Sequence, residues 1–437
     1  MIIGIDASRA NRTHKSGTEW YSYYLIKELS RLDSANQYVL YTDAPLAADL
    51  LDLTGGKTGA DEAARGSEQK IKSSHGNFRA KILRWPFKYL WTQGRLSLEM
   101  LFSPPDALFV PSHTLPFIHP RRSIITIHDV GFERDRGLYR QGSMGPSGKQ
   151  RRRFLNFLVR LFTRGKYGAN LLDYYSWSTI FGLKQAAKII TVSNFSKDEI
   201  IEIYQKEMPV KTDLQSKIEV IYNGFNEQFC NFAADTPATR SVLAKYGIEE
   251  PYIFYVGRLE RKKNIANLIE AFALLLERNG GIRHKLILAG DASFGYDEIK
   301  YMVNHYNLEG KVVKTGWVDE GDLPHIYRRA TAFIFPSLYE GFGIPLLQAM
   351  ACGVPVACSN AASIPEVAGE AALYFDPHNP QEMSVAIEKI VTDAALRQDL
   401  AEKGLRRAAS FGWKQAAQRT LEAISSTGRK TADEKNG

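Results

Sequence analysis

The chain has 437 residues, 44% of them hydrophobic and 24% charged, and a formal net charge of +8. This composition excludes a mainly disordered chain, and the length suggests two domains of ordinary size. No stretch is apolar over the roughly 20 residues that a membrane-spanning helix needs, and three cysteines, Cys230, Cys352 and Cys358, are too few for a disulfide framework or a close metal cluster, which fits a reducing cytoplasm.

The first residues, MIIGIDASRA, lack the basic leader, apolar run and cleavage site of a secretory signal. They read instead as a buried strand from Ile2 to Asp6. A helix is expected from Thr18 to Leu32. Further strands are expected at Tyr38 to Tyr41, Ala107 to Val110, Ile124 to Ile127, Ile189 to Val192 and Ile218 to Ile221, all short β-branched or aromatic runs suited to burial on both faces. A helix follows from Ser196 to Lys206, with Ser193 or Asn194 as its cap.

A second series begins near Tyr252. Its strands are expected at Tyr252 to Val256, Lys285 to Ala289, Val312 to Lys314, Ala332 to Phe335 and Val354 to Ala357. Its helices are expected over Asn264 to Glu277, Tyr296 to Tyr306, Asp322 to Arg329 and Ile344 to Ala351. Alternating strands and helices imply α/β architecture with parallel sheets. The expectation is two Rossmann-like, doubly wound domains, 1–235 and 236–412, with variable insertions at about 52–100 and 135–170. A helix over 413–425 is expected to cross back to the first domain, and 426–437 to form a flexible tail. Residues 52–77, rich in Gly, Ser, Lys and Ala, look like a mobile loop. In open α/β sheets ligands bind beyond the carboxyl ends of the strands, so two such domains facing each other would hold a ligand in a cleft.

Candidate chemistry sits just after strands. In FIFPSLYEGFGIPLLQAMACGVP, Phe333 to Pro355, a strand runs into a loop with Glu340, Gly341, Phe342 and Gly343, and a helix starts near Ile344. Glycines let backbone amides approach a ligand, and a helix N-terminus suits a diphosphate. Glu340 can accept hydrogen bonds from sugar hydroxyls, and Gln348, about one turn on, has the reach for a ribose. The competing reading is a joint whose glycines only serve the turn. In VGRLERKKN, Val256 to Asn264, Arg258 and Lys263 are two cations able to neutralise a departing nucleoside diphosphate without a metal, while Arg261 and Lys262 are expected to be solvated. In HKSGTE, His14 to Glu19, Gly17 permits close backbone approach, although a capped helix start explains the segment nearly as well. ITIHDV, Ile125 to Val130, ends a strand with His128 and Asp129. Two readings stand for His128, a hydrogen bond to a sugar and a packed structural histidine. For His113, in VPSHTLP, the structural reading is preferred.

Lys149, Arg151, Arg152, Arg153, Arg160, Arg164 and Lys166 crowd one segment without an acidic residue, interleaved with Phe154, Leu155, Phe157, Leu158, Leu161 and Phe162. A basic amphipathic helix over 149–166 suits an anionic membrane surface, and FRAKILRWPFKYLW, Phe78 to Trp91, has the same character. A helix covering the domain core with a solvated basic edge fits equally. Nucleic acid is not expected, because no binding module accompanies the charge.

YEGFGIPLLQAMACGVPV, together with GRLERKKN, TIHDV, TVSNFSKDEI, VIYNGF and TGWVDEGDLPHIYRRA, resembles the large retaining glycosyltransferase family 4 and its GT-B fold, over most of the chain from Ile2 to about Trp413. The resemblance implies a metal-independent hexosyltransferase acting in cell-surface polysaccharide synthesis; with the cysteine usage this places it in the cytoplasm, and in the membrane reading of segment 149–166 it is peripheral on the inner face of the cell membrane. It implies a nucleotide-sugar donor, a saccharide or lipid-linked acceptor on the first domain, retention of configuration, and no cofactor or metal. Mannose is the first expectation for the sugar, with GDP-mannose or a UDP-sugar as donor. By position it makes Glu340 the first glutamate of the E-x7-E motif, against the transferred sugar. Gly341, Phe342 and Gly343 offer backbone contacts to that sugar, and the Ile344 amide meets phosphate. Arg258 and Lys263 become the diphosphate pair, Gly17 the N-terminal glycine loop, and His128 a histidine near the reacting sugar. Trp317 and Val318 border the nucleobase, and Ser193 and Asn194 shape the cleft. The second glutamate of the motif is Gln348 here, neutral and able to donate, so donor preference is the property it would alter. The competing readings are a nucleotide-sugar hydrolase or epimerase of the same fold, and a non-catalytic nucleotide-sugar-binding protein.

Overall fold

Short runs of β-branched and aromatic residues become the strands of two sheets, in a computed structural model that describes residues 1–54, 68–86, 90–139, 153, 156–157, 159–160, 165–230 and 236–428. The chain divides into two compact units. The first comprises Met1–Arg134, Gln141–Asn223 and Trp413–Gly437, and the second Asp135–Arg140 and Gly224–Gly412.

The first unit is built on β1 (Ile2–Asp6), β2 (Gln37–Thr42), β3 (Glu68–Lys70), β4 (Phe78–Ile82), β5 (Ala107–Val110), β6 (Ser123–Ile127), β7 (Lys188–Thr191) and β8 (Ile218–Val220). Their order is β3-β4-β2-β1-β5-β6-β7-β8. Neighbours run parallel, except β3, which is antiparallel to β4. Every residue of β5 and β6 is buried, which is why these strands read as continuous apolar runs. Helix Gly17–Leu32 lies in this unit, and the C-terminal helix Trp413–Ser426 packs on it: the Tyr24 and Trp413 rings stack at 5.5 Å between centroids.

The second unit holds β9 (Tyr252–Val256), β10 (Lys285–Ala289), β11 (Val312–Gly316), β12 (Ala332–Phe335), β13 (Val356–Ser359) and β14 (Ala372–Phe375), all parallel, in the order β11-β10-β9-β12-β13-β14. Helix Ile265–Arg278 buries Ile265, Leu268, Ile269, Phe272 and Leu275, the spacing of one apolar helix face.

The expected doubly wound pair is therefore present, with corrections. Phe78–Ile82 is a strand with alternating burial rather than part of a basic helix, because FRAKI repeats with period two. The strand expected at Val354 starts at Val356, after Pro355, which has no N–H for the ladder. Strand β14 and the helices Leu171–Gln185, Pro237–Lys245, Pro380–Thr392 and Ala394–Ala408 were not anticipated. The second unit begins at Gly224 rather than 236: Phe229 is buried against Tyr327 at 5.8 Å, and the Cys230 carbonyl accepts from Arg328 at 2.8 Å. Most of the basic segment 149–166, and 55–67 of the expected mobile loop, lie outside the described residues.

In each sheet the first strand in chain order lies in the interior: β1 between β2 and β5, and β9 between β10 and β12. These are the topological switch points, where connections leave toward opposite faces and open a crevice at the carboxyl ends. Around the second one, Gly257, Gly290 and Gly316 end β9, β10 and β11 with φ of 150°, 135° and 71°. A Cβ on Gly290 would stand 2.0 Å from the Gly257 carbonyl oxygen. Gly290→Ala is therefore expected to cost about 3 kcal/mol or more, since backbone must move. Gly280→Ala, with nothing near its Cβ, should stay within about 1 kcal/mol of wild type. Chemical denaturation compares the two.

Candidate active site

Register places the ends of β9 and β12 side by side, with Ile253 opposite Ala332 and Phe254 opposite Phe333. After β9 the chain makes a short turn, Arg261–Lys263, that closes on Asn264 in the left-handed conformation at φ 60°. Asn264 is anchored twice: its backbone N–H donates to the Arg261 carbonyl at 3.0 Å and its side-chain Nδ2 to the Pro377 carbonyl at 2.7 Å. This turn aims Lys263 at the loop after β12, and the two loops are stitched by Leu338 N–H donating to the Lys262 carbonyl at 2.9 Å.

Lys263 and Glu340, 77 residues apart in sequence, meet there: Nζ donates to Oε1 at 2.5 Å, with side chains 15% and 10% exposed. Ser337 Oγ donates to the same Oε1 at 2.7 Å. Among the described residues, both hydrogen bonds received by this carboxylate fall on Oε1. Ser363 Oγ donates to the Glu340 carbonyl at 2.8 Å, and Ser359 Oγ to the Ser337 carbonyl at 2.7 Å. Serines on the neighbouring segment thus brace the acidic loop from behind.

The loop ends at Gly343, with φ 108°, which caps helix Ile344–Ala351 with Pro345 in its first turn. A proline there forgoes an N–H that would be unpaired anyway. The Ile344 end of the helix presents backbone amides and the positive end of the helix dipole, an arrangement suited to phosphate. Phe342 points into the core against Phe411 at 5.7 Å, and Gly341 is buried beside it.

Other expected residues are placed as follows. Arg258 is exposed on the loop after β9. Gln348 is buried, and its Oε1 accepts from the Tyr327 hydroxyl at 3.4 Å. Trp317 is partly buried and Val318 buried, just after β11, the edge strand two positions from β9. Arg261 and Lys262 are not simply solvated: Arg261 pairs with Glu298 and lies over the Phe294 ring at 5.3 Å, and Lys262 lies over Tyr139 at 5.2 Å.

In the first unit, Gly17 opens its helix in uncrowded space. Ser16 before it shares a capping arrangement with Glu19, whose Oε2 accepts from the Ser16 amide at 3.2 Å. His128 directly follows β6; its Nε2 faces the Pro111 carbonyl at 3.2 Å, and its ring meets Tyr21 edge-on at 4.6 Å. Burial lowers its pKa to about 4, partly opposed by that carbonyl. His113 packs edge-on to Tyr175 at 5.1 Å, and burial lowers its pKa to about 3. Ser193 caps helix Asn194–Tyr204, accepting from Ser196 N–H at 3.0 Å, and Asn194 Nδ2 donates to the Tyr222 hydroxyl at 2.8 Å. Among the described residues, no three His, Cys, Asp or Glu side chains cluster as a metal site would, and no helix is long and apolar enough to cross a membrane.

Residues that sequence reasoning passed over are Ser337, Ser363 and the glycines after β9, β10 and β11. The glycines carried a readable signal, one after each of three apolar runs. The serines carried none, because their roles depend on segments brought together by folding.

The sequence profile described as glycosyl transferases group 1 matches residues 240–407. The chain is similar to O-antigen chain mannosyltransferase B of Escherichia coli, 35% identical over 269 residues that cover 61% of this chain and 68% of that protein. It is also similar to the serotype-specific mannosyltransferase WbdA of Escherichia coli, 29% identical over 275 residues, 61% of this chain but 32% of the longer relative. Among solved structures, a sucrose-phosphate synthase from Thermosynechococcus elongatus superposes with a TM-score of 0.68 at 19% identity, covering 98% of both chains. That likeness shows the fold to be GT-B.

Two measurements probe this geometry. Lys263→Ala should cost about 2–3 kcal/mol, somewhat less than a fully buried pair because some exposure remains. Arg261→Ala, at an exposed pair, should cost less than about 1 kcal/mol; denaturation and a double-mutant cycle with Glu340→Ala read both effects. The histidines set a pH dependence. Their folded pKa values lie below the roughly 6.5 of an unfolded chain, so stability is intact above that value and falls as pH drops toward 4, where only the unfolded state takes up protons. His113→Phe should make this loss shallower by up to about 1.4 kcal/mol per pH unit, measured as unfolding free energy from pH 7 to 4.5.

Proposed function

This chain belongs to the glycosyl transferases group 1 family and is a glycosyltransferase, and on that premise we propose that it transfers mannose, with retention of configuration, from GDP-mannose to a saccharide or lipid-linked acceptor in cell-surface polysaccharide synthesis. The observation that carries the reading is the Lys263–Glu340 pair at the carboxyl ends of β9 and β12. The choice of mannose is supported by the two relatives named as mannosyltransferases.

In this reading Glu340 accepts hydrogen bonds from hydroxyls of the transferred sugar, and the amides of Gly341 to Gly343 approach it closely. The diphosphate rests at the N-terminus of helix Ile344–Ala351, with Arg258 and Lys263 compensating its growing charge. Fixed cations in a site of restricted exposure stabilise a departing diphosphate strongly, because little reorganisation is left for the moment of bond breaking. The bond from the anomeric carbon to the phosphate oxygen breaks as the acceptor oxygen bonds on the same face, and the acceptor proton passes to the departing phosphate. Trp317 and Val318 border the base. Gln348, engaged with Tyr327, serves the ribose as a neutral group and bears on donor preference. Charge compensation by Arg258 and Lys263 leaves no step that requires a metal.

The reading extends to location. A lipid-linked acceptor would bring the enzyme to the inner face of the cell membrane from the cytoplasm, and exposed Arg153, Phe157 and Arg160 are the described part of the segment that would meet anionic lipid.

Incubating the purified chain with GDP-mannose and a mannose-terminated acceptor should yield a product whose new linkage keeps the α configuration, read by NMR. Glu340→Ala and Arg258→Ala should each lower kcat by about 10²–10³. Near-wild-type turnover in either would overturn its role, and an inverted product would overturn the mechanism. In a melting-temperature screen GDP should stabilise more than UDP or ADP, through mass action on the folded state. Preference for UDP would reject the donor while leaving transfer intact.

A further inference from the structure

Strand β8 ends the first unit's sheet, with β7 on one side and no strand on the other. The Ile221 N–H, just past the strand, donates to the Thr191 carbonyl at 2.8 Å, and Thr191 is in register with Val220. Backbone groups alternate in direction along a strand, so Glu219 faces β7 together with Ile221, while Ile218 and Val220 face away. The Ile218 N–H is taken by the Leu214 carbonyl, where helix Leu214–Lys217 ends. That leaves the Ile218 carbonyl and both backbone groups of Val220, and among the described residues none of the three has a partner.

A groove of about 470 Å³ follows this edge. Ile218 and Val220 project from one face of β8 and Glu219 from the other, and all three line the groove. A space bounded by both faces of a strand lies beside its edge rather than over one face. Ile218 shares a core cluster with Ile200 and Tyr204 of helix Asn194–Tyr204, and Glu219 pairs with Arg419 of helix Trp413–Ser426 at 3.3 Å. The two helices therefore flank β8 on opposite faces and leave the edge between them.

The charge of this groove is unbalanced. Glu219 is shared by Lys188, at 2.6 Å, and Arg419. Lys197 Nζ donates to a carbonyl, that of Gln215, at 2.8 Å. The lining thus sets three cations against one carboxylate. An open edge is a template for another strand, and the charge selects which. A second copy of β8 would bring the same cations and be repelled. A small anion would use the cations and leave the outward backbone groups idle. An acidic strand uses both.

We propose that the free edge of β8 is a docking site for an extended acidic segment of a partner protein, which adds to the sheet as one further strand. Its backbone pairs with Ile218 and Val220, and its carboxylates meet Lys197 on one side and Lys188 and Arg419 on the other. Main-chain bonds supply affinity in such strand addition, and the flanking charges supply the choice of sequence. The site requires neither sugar nucleotide nor turnover, so its failure would leave the transfer reading untouched.

The probe is a fluorescein-labelled peptide of alternating glutamate and valine, about seven residues long to span the strand and its flanks, titrated into the full chain by fluorescence anisotropy. It is compared with a peptide carrying lysine in place of glutamate, and with two forms N-methylated on alternate residues, one in each frame. The acidic peptide should saturate, and weaken about tenfold or more between about 0.05 and about 0.5 M salt. The lysine peptide and one N-methylated form should bind at least about tenfold more weakly. Lys197→Glu and Arg419→Glu should each weaken binding about tenfold or more, the effect of losing one charge-assisted contact. Val220→Pro removes the outward N–H at an edge, where proline is tolerated, and should weaken binding similarly with little change in melting temperature. Should a variant melt well below wild type, the N-methylated peptides settle the same point on the unaltered protein. Absence of saturable binding by the acidic peptide, equal binding of both N-methylated forms, or its displacement by inorganic phosphate at matched ionic strength overturns the proposal.

Discussion

The position of one strand, β9, governs the chemistry of the second unit. It is flanked by β10 on one side and β12 on the other, so the chain leaving β9 and the chain leaving β12 turn away toward opposite faces of the sheet. Two loops are thereby left adjacent at the strand ends with no helix filling the gap. One brings Lys263, the other Glu340. Their contact is a consequence of strand order before it is a consequence of electrostatics.

Once adjacent, the loops are made rigid by ordinary means. The left-handed turn at Asn264 is secured by its side chain on the Pro377 carbonyl. The acidic loop is secured by hydroxyls of Ser337 and Ser363. A lysine and a carboxylate with little exposure then hold each other at the strand ends. Charge placed in advance is what makes such a site effective, since the surroundings need not rearrange as charge develops. Three positive-φ glycines at the ends of β9, β10 and β11 extend the same logic to the backbone, and at Gly290 the space allows no side chain at all.

The first unit uses the same topology with different chemistry. Its switch point lies between β1 and β5, and the groups gathered there are Asp6, the Arg12–Asp43 and Arg9–Glu19 pairs and two indole rings. One architecture repeated in a chain can carry different sets of side chains, because function sits in the loops at the strand ends.

Much of this was legible in the sequence. Strands β1, β5, β9, β10 and β12 stand where short apolar runs predict them, because strands buried on both faces tolerate little else. Glu340, the glycines around it and the helix start at Ile344 form one contiguous local signal, since a strand–loop–helix joint is specified by residues next to one another. Strand β4 was misread because its basic residues suggested an amphipathic helix, although the alternation of FRAKI obeys period two. The sequence by itself therefore determined the α/β class, the phosphate-suited joint and the family. Only the tertiary structure decided that Lys263 rather than Arg261 meets Glu340, that Ser337 and Ser363 brace the loop, that Gln348 is held by Tyr327, and that Trp85 and Trp91 share a cavity with Asp6 and Arg12. Local propensity acts over a few neighbouring residues, whereas these contacts join segments whose proximity exists only once the strand order of each sheet is set.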